Sequence, residues 1–208
     1  KHVQGDTLFN LAAIHKTPGH LDSEYFETNI SGAENVCAYA RRNRIDTIVF
    51  TSSIAPYGAG EDEKLESSMP MPNTPYGISK YIAEEVHRRW QAEDPSNRKL
   101  IIVRPGVVFG KGEGGNFTRL YKTLSKRLFM YPGRNDTKKA AIYVKDLVRI
   151  MFEMSRKESP GNHIFNMCYP EPHTIRTIVS EISSVTGVSK NVPTIPGWML
   201  RSLALLLY

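Results

Sequence analysis

Thr47-Ile48-Val49-Phe50-Thr51-Ser52 and Leu100-Ile101-Ile102-Val103-Arg104 are continuously apolar where a half-exposed strand would alternate. Runs of this length and composition are strands covered on both faces, the pattern of a parallel sheet with helices on either side. Thr7-Leu8-Phe9-Asn10-Leu11-Ala12-Ala13 is a third such run, read as a buried parallel strand over residues 7–12 that ends in small residues. Between these strands lie two helical patterns. The first covers residues 24–44, opens on Glu24 after Ser23 as the N-cap, and ends on Arg44, with Phe26, Ile30, Ala33, Val36, Cys37 and Ala40 at three- and four-residue steps. The second covers residues 75–91, from Pro75 to Gln91. Strand, helix, strand, helix, strand is the order of an α/β doubly wound, Rossmann-like parallel sheet. Ligands of such sheets bind beyond the carboxyl ends of the strands, which here are Ala12-Ala13, Ser52-Ser53 and Pro105-Gly106.

Farther along, residues 117–125, 144–154 and 174–185 read as helices and residues 140–143 and 164–167 as extended. Residues 198–208 read as an apolar helix. The organisation expected is a sheet domain over residues 1–110 and, over residues 111–208, mainly a smaller α/β substrate-binding lobe with some segments returning to the sheet.

With 208 residues and 40% apolar content the chain can bury a core. Its longest uncharged apolar stretch, residues 203–208, is far below the roughly 20 residues of a membrane span, and the amino end has no signal-peptide layout. A soluble, cytoplasmic protein is expected. Cys37 and Cys168 stand apart with no CxxC spacing, so neither a disulfide scaffold nor a metal site is indicated. The net charge of +6 comes from scattered residues, the densest run being Arg41, Arg42 and Arg44 at a helix end. No nucleic-acid-binding pattern accompanies them, and the surplus suits an anionic small substrate.

Tyr76 and Lys80 are four apart on the second helix and project from one face. Ser53 stands at a strand's carboxyl end. A phenol of pKa about 10 is a poor base at neutral pH, and a cation beside it favours the phenolate. Ser53 can then hydrogen-bond a substrate oxygen while Tyr76 exchanges its proton. The bland alternative is a surface Tyr-Lys pair beside a serine loop.

Asn10-Leu11-Ala12-Ala13, Asn29 with Gly32, Thr51-Ser52-Ser53 to Tyr57-Gly58, Pro75-Tyr76-Gly77-Ile78-Ser79-Lys80, Arg104-Pro105-Gly106-Val107-Val108-Phe109-Gly110 and Ile142-Tyr143-Val144-Lys145-Asp146 resemble, in order and spacing, motifs of the extended short-chain dehydrogenase/reductase family. They are most similar to its members that act on nucleotide sugars. The resemblance implies that Ser53, Tyr76 and Lys80 form the catalytic triad. It implies that Leu11, Ala12, Ala13, Thr51, Ser52, Tyr76, Lys80 and Pro105 line the path of NAD, with NADP left open. It also implies that Asn116, Phe117 and Ser53 touch the nucleotide sugar, and that Lys139 stands where relatives place an arginine on the diphosphate. Lysine keeps that charge but lacks the bidentate fork. Relatives that dehydrate or decarboxylate carry acidic residues where this chain has Ile54 and Ala55, so epimerisation, at C4 of a UDP-hexose, is the reaction expected. The alternatives are a hydroxysteroid-dehydrogenase-like alcohol oxidoreductase and a non-catalytic dinucleotide-binding regulator. Relative to the family pattern the chain opens near the fourth strand, so the glycine-rich pyrophosphate turn is expected about 60 residues before Lys1, two strand-helix units away. Gly112-Glu113-Gly114-Gly115 is read instead as a loop of the substrate lobe. A homodimer is expected through the helices over 24–44 and 75–91, with Val86 and Trp90 as exposed anchors, the alternative being that they face the sheet.

Overall fold

The structure is a computed structural model that describes residues 5–15, 19–187 and 191–199. The chain divides into two compact units, one of residues 1–106 and 144–167, the other of residues 107–143 and 168–208.

The first unit is built on β1 (Thr7–Asn10), α1 (Asp22–Asn43), β2 (Thr47–Thr51), α2 (Pro75–Ala92) and β3 (Lys99–Pro105), with a 3-10 turn at Ala55–Tyr57. A fourth strand, β8 (Gly161–Met167), completes the sheet, and both it and α4 (Val144–Lys157) come from later in the chain. The strand order is β1-β2-β3-β8, all parallel. One face carries Ile48, Phe50, Leu100 and Ile102 and is covered by Ala33, Cys37 and Ala40 of α1 and Ala83 and Trp90 of α2. On the other side α4 lies against β2 and β3 with Leu147 and Met151 buried. The doubly wound expectation therefore holds in both the direction of the strands and their two-sided cover.

Three local expectations are corrected. Ser23 is not the N-cap of α1: Leu21 is, and the Glu24 side chain accepts its backbone N–H at 2.7 Å, so the start signal is the acidic residue reaching back. The first strand stops at Asn10, because its Oδ1 turns to accept the Ala12 N–H at 3.3 Å and the chain leaves the ladder. Trp90 is fully buried at 0% exposure, and Val86 packs against the same core, so neither is an exposed anchor: both face the cleft between helices and sheet.

The second unit contains β4 (Val107–Phe109), α3 (Asn116–Ser125), β5 (Tyr131–Pro132), β6 (Lys138–Lys139), β7 (Ala141–Tyr143), β9 (His173–Thr174), α5 (Ile175–Thr186) and β10 (Thr194–Ile195). β4 pairs parallel with β7, β5 with β10, and β6 antiparallel with β9. Leu124, Tyr131 and Val179 form its core, with Leu120, Ile175 and Ile182 packed around them. Most of these strands are two or three residues long, too short to leave a period in the sequence. The apolar helix expected over 198–208 lies outside the described residues beyond Met199. No helix among the described residues is long and apolar enough to cross a membrane.

Candidate active site

The carboxyl ends of β1, β2 and β3 carry the groups that chemistry needs. Ser53 follows β2, and its Oγ accepts the Ala55 N–H at 3.1 Å, which fixes the hydroxyl at the mouth of the 3-10 turn. Tyr76 is the second residue of α2, whose start is set by Pro75 and by Thr74 Oγ1 accepting the Gly77 N–H at 3.1 Å. Gly77 lets helix and turn touch, since a Cβ there would stand 2.7 Å from the Ala55 carbonyl oxygen. Turn and helix start thus bring Tyr76 near Ser53. Burial pushes the Tyr76 phenol above its usual range, and the Ser53 hydroxyl opposes this.

Lys80, one turn on, is 1% exposed. Its Nζ donates to the Thr51 carbonyl oxygen at 2.6 Å and stands 4.3 Å from the centre of the Phe50 ring. Burial pulls its pKa down to about 8, against the pull of Glu84. The ammonium is thus held at the strand end, not on the Tyr76 hydroxyl. The Thr51 Oγ1 is buried with no hydrogen-bond partner, a state that costs roughly 1–3 kcal/mol until something completes it. A cluster of this kind, with an orphan hydroxyl and a buried amine at the ends of parallel strands, fits a polar group bound there.

Ser52 is used differently from Ser53. It is buried, and its Oγ donates to Glu84 Oε1 at 2.5 Å. Glu84 also receives the Arg104 guanidinium at 2.9 and 2.6 Å and Arg88 at 3.1 Å. Pro105 is buried at the end of β3, and Leu11 and Ala12 are exposed beyond β1.

Two amides that the sequence reading did not place among site residues hold the loop after β1. Asn29 Oδ1 accepts the Ile14 N–H at 2.9 Å while its Nδ2 donates to the Ile14 carbonyl at 3.2 Å and to Ser79 Oγ at 2.9 Å. Asn10 Nδ2 donates to His87 Nε2 at 3.2 Å, and His87 Nδ1 donates to the Ala83 carbonyl at 2.6 Å, so the ring is neutral. Burial holds the His87 pKa down at about 4. A signal for this was present: Lys80, Glu84, His87 and Gln91 recur at four, three and four residues, the spacing of a core face occupied here by polar groups.

In the second unit a pocket of about 270 Å³ is lined by Val107, Asn116, Phe117, Leu120, Lys139, Ile175 and Ile178. It gathers three of the four residues assigned to substrate, Asn116, Phe117 and Lys139, but not Ser53, which belongs to the first unit, together with apolar residues the sequence did not mark. The Phe117 ring lies 5.2 Å from that of Phe109. The 112–115 loop leads into α3, and the Glu113 carboxylate caps it by accepting the Thr118 N–H at 3.0 Å. Among the described residues no group of three or more His, Cys, Asp or Glu side chains stands together to hold a metal ion.

The sequence profile of the NAD dependent epimerase/dehydratase family matches residues 1–168. The chain belongs to that family. It is 32% identical, over 91% of its length and 56% of the relative's, to N-acetyl-alpha-D-glucosaminyl-diphospho-ditrans,octacis-undecaprenol 4-epimerase of Escherichia coli O157:H7. It is 24% identical, over 96% of its length and 59% of the relative's, to 4-hydroxy-2-methyl-3-oxo-4-farnesyl-3,4-dihydroquinoline-1-oxide ketoreductase of Stigmatella aurantiaca. Its fold matches the UDP-glucuronic acid 4-epimerase of Bacillus cereus, solved with NAD, at a TM-score of 0.79 and 22% identity, over 92% of this chain and 63% of that one. The chain thus spans less than two thirds of these members of the epimerase/dehydratase family.

Proposed function

We propose that the protein is an NAD-dependent epimerase acting at C4 of a hexose carried on a diphosphate. What supports this most is the placement of Ser53 and Tyr76 at the carboxyl end of a parallel sheet, with Lys80 buried one helical turn away and held on the Thr51 carbonyl. In this reading the Tyr76 phenolate takes the proton of the sugar alcohol and, as the phenol, returns it, while Ser53 holds the oxygen through the keto stage. Leu11, Ala12, Ala13, Thr51, Lys80 and Pro105 would hold NAD, which would supply a reversible hydride acceptor at that end of the sheet. Thr51 Oγ1 is the free donor at that end. A base role for Tyr76 needs positive charge near the phenol, and Lys80, on the same helix face, is the residue to bring it there. In the second unit Lys139 meets the diphosphate and Asn116 and Phe117 meet the sugar or its carrier.

The carrier has two candidates. UDP is the one named for the Bacillus cereus relative, and a polyprenol is the one named for the Escherichia coli relative. The apolar lining of the pocket is compatible with both. The test supplies NAD well below substrate and offers UDP-N-acetylglucosamine and its polyprenyl-diphosphate counterpart. Conversion to the C4 epimer without net NADH supports the reading, and NADH formed in proportion to product favours the alcohol oxidoreductase, in keeping with the ketoreductase relative. A homodimer is part of the same proposal, now through Tyr39 of α1 and Ile82 of α2, which are exposed where Trp90 is not. A monomer in sedimentation at micromolar concentration removes it.

A further inference from the structure

From Gly114 to Gly133 the sequence holds four cations, Arg119, Lys122, Lys126 and Arg127, and no acidic residue. All four lie on one helix or the turn that follows it. The structure gives this stretch a definite shape. α3 buries Leu120 and Leu124 with Val179 and Ile182, and this leaves Tyr121, Lys122 and Lys126 facing solvent. The helix closes with the Arg127 N–H on the Leu124 carbonyl at 2.8 Å and the Leu128 N–H on the Thr123 carbonyl at 2.9 Å, Arg127 taking φ 57°. An apolar residue in the place of Leu128 commonly folds back onto its helix. Here Leu128 is 70% exposed. Phe129 turns inward, its ring 5.4 Å from that of Tyr131, and the alternation throws Met130 outward to 47% exposure; Tyr121 of α3 is 49% exposed.

We infer that this surface, the outer face of α3 and the 126–130 turn, docks on an anionic lipid surface. Aliphatic side chains standing clear of the fold among uncompensated cations match the boundary of such a bilayer, where apolar groups enter and lysine and arginine meet headgroups. A nucleic acid would take up the charge but leave Leu128 and Met130 in water. The docking does not depend on the catalytic reading. Its consequence for substrate does: the opposite end of the same helix supplies Asn116 and Phe117 to the pocket, so a sugar diphosphate on a lipid carrier would be met at the membrane face.

Flotation of the protein with vesicles of phosphatidylcholine, with and without phosphatidylglycerol, tests this with neither NAD nor sugar present. The protein is expected to float with the anionic vesicles at least about tenfold more than with the neutral ones. Lys126→Ser and Arg127→Gly, the latter suited to the left-handed turn, should each weaken binding about fivefold. Leu128→Ser with Met130→Ser should weaken it at least about tenfold at unchanged circular dichroism. Equal binding to both vesicles overturns the inference. So does binding that follows charge but ignores the Leu128/Met130 pair, which would describe a generic polyanion surface. Epimerase activity on UDP-sugars with no vesicle binding would remove the docking alone, and vesicle binding without epimerisation would remove the catalytic reading alone.

Discussion

Lys80, Glu84, His87 and Arg104 of the first unit are buried and held by backbone carbonyls, a serine hydroxyl, the Asn10 amide and one another, whereas Lys122, Lys126, Arg127 and Lys139 of the second unit lie in solvent around an apolar pocket and turn. The difference divides labour. Taking charge out of water is costly and is tolerated where it fixes groups in place for a reaction. Charge left hydrated fixes nothing but remains available to a ligand that brings the opposite sign. On the proposed function, the first unit is accordingly the place for proton exchange and the second the place for anchoring.

The largest effect should come from Tyr76→Phe. It removes the exchanging proton with little change in packing and should lower kcat about a thousandfold with KM and the circular dichroism spectrum nearly unchanged. A variant of near-normal turnover would break the division at its first half.

His87 sharpens the same half through stability. Its ring binds a proton only near pH 4 in the folded protein, against 6.5 in the unfolded chain. Between these values the unfolded state holds more protons, so stability should fall as pH drops from about 6.5 to 4, by up to about 3 kcal/mol, and level off below. Urea denaturation at a series of pH values reads this directly, and His87→Gln should flatten the slope. An unchanged slope in that variant would place the titrating group elsewhere.

Lys80 should show the opposite signs of function and stability. Its charge is disfavoured by burial, so Lys80→Met is expected to raise thermal stability at pH 7 by about 1–2 kcal/mol after the loss of the bond to Thr51. The same variant should lose activity and carry its rate profile to higher pH. A Lys80→Met protein that is both less stable and fully active would make the lysine structural.

The smallest effect belongs to the second unit. Lys139 is exposed at the pocket, so Lys139→Ala should raise KM about fivefold with kcat held, and the change should shrink with salt. A loss confined to kcat would place Lys139 in the chemistry and undo the comparison.

What could be read in advance follows the same line. The strands around Val49 and Ile101 and the helices between them announce themselves because burial on both faces leaves long apolar runs. That Ser53 and Tyr76 would lie near one another was legible because strand end and helix start bring them together, whereas the seating of the Lys80 ammonium on the Thr51 carbonyl was not. The Asn10–His87 and Asn29–Ser79 bonds were not, since each joins residues far apart in sequence through side chains that composition treats as solvated. The fate of Trp90 turned on which side of α2 faces the sheet, and an aromatic residue four positions from Val86 suits a core as well as an interface. The second unit was legible at its helices and not at its two-residue strands, which are set by pairing partners and carry no period.

The central claim is that hydrogen leaves and returns to one carbon of the sugar within one site. A hexose labelled with deuterium at C4, supplied on its diphosphate carrier with NAD well below substrate, tests it by mass spectrometry of the epimer. The account predicts that the epimer keeps the deuterium at C4 and gains none from solvent. Loss of the label to water, or its appearance in accumulating NADH with an unepimerised ketone, would contradict it.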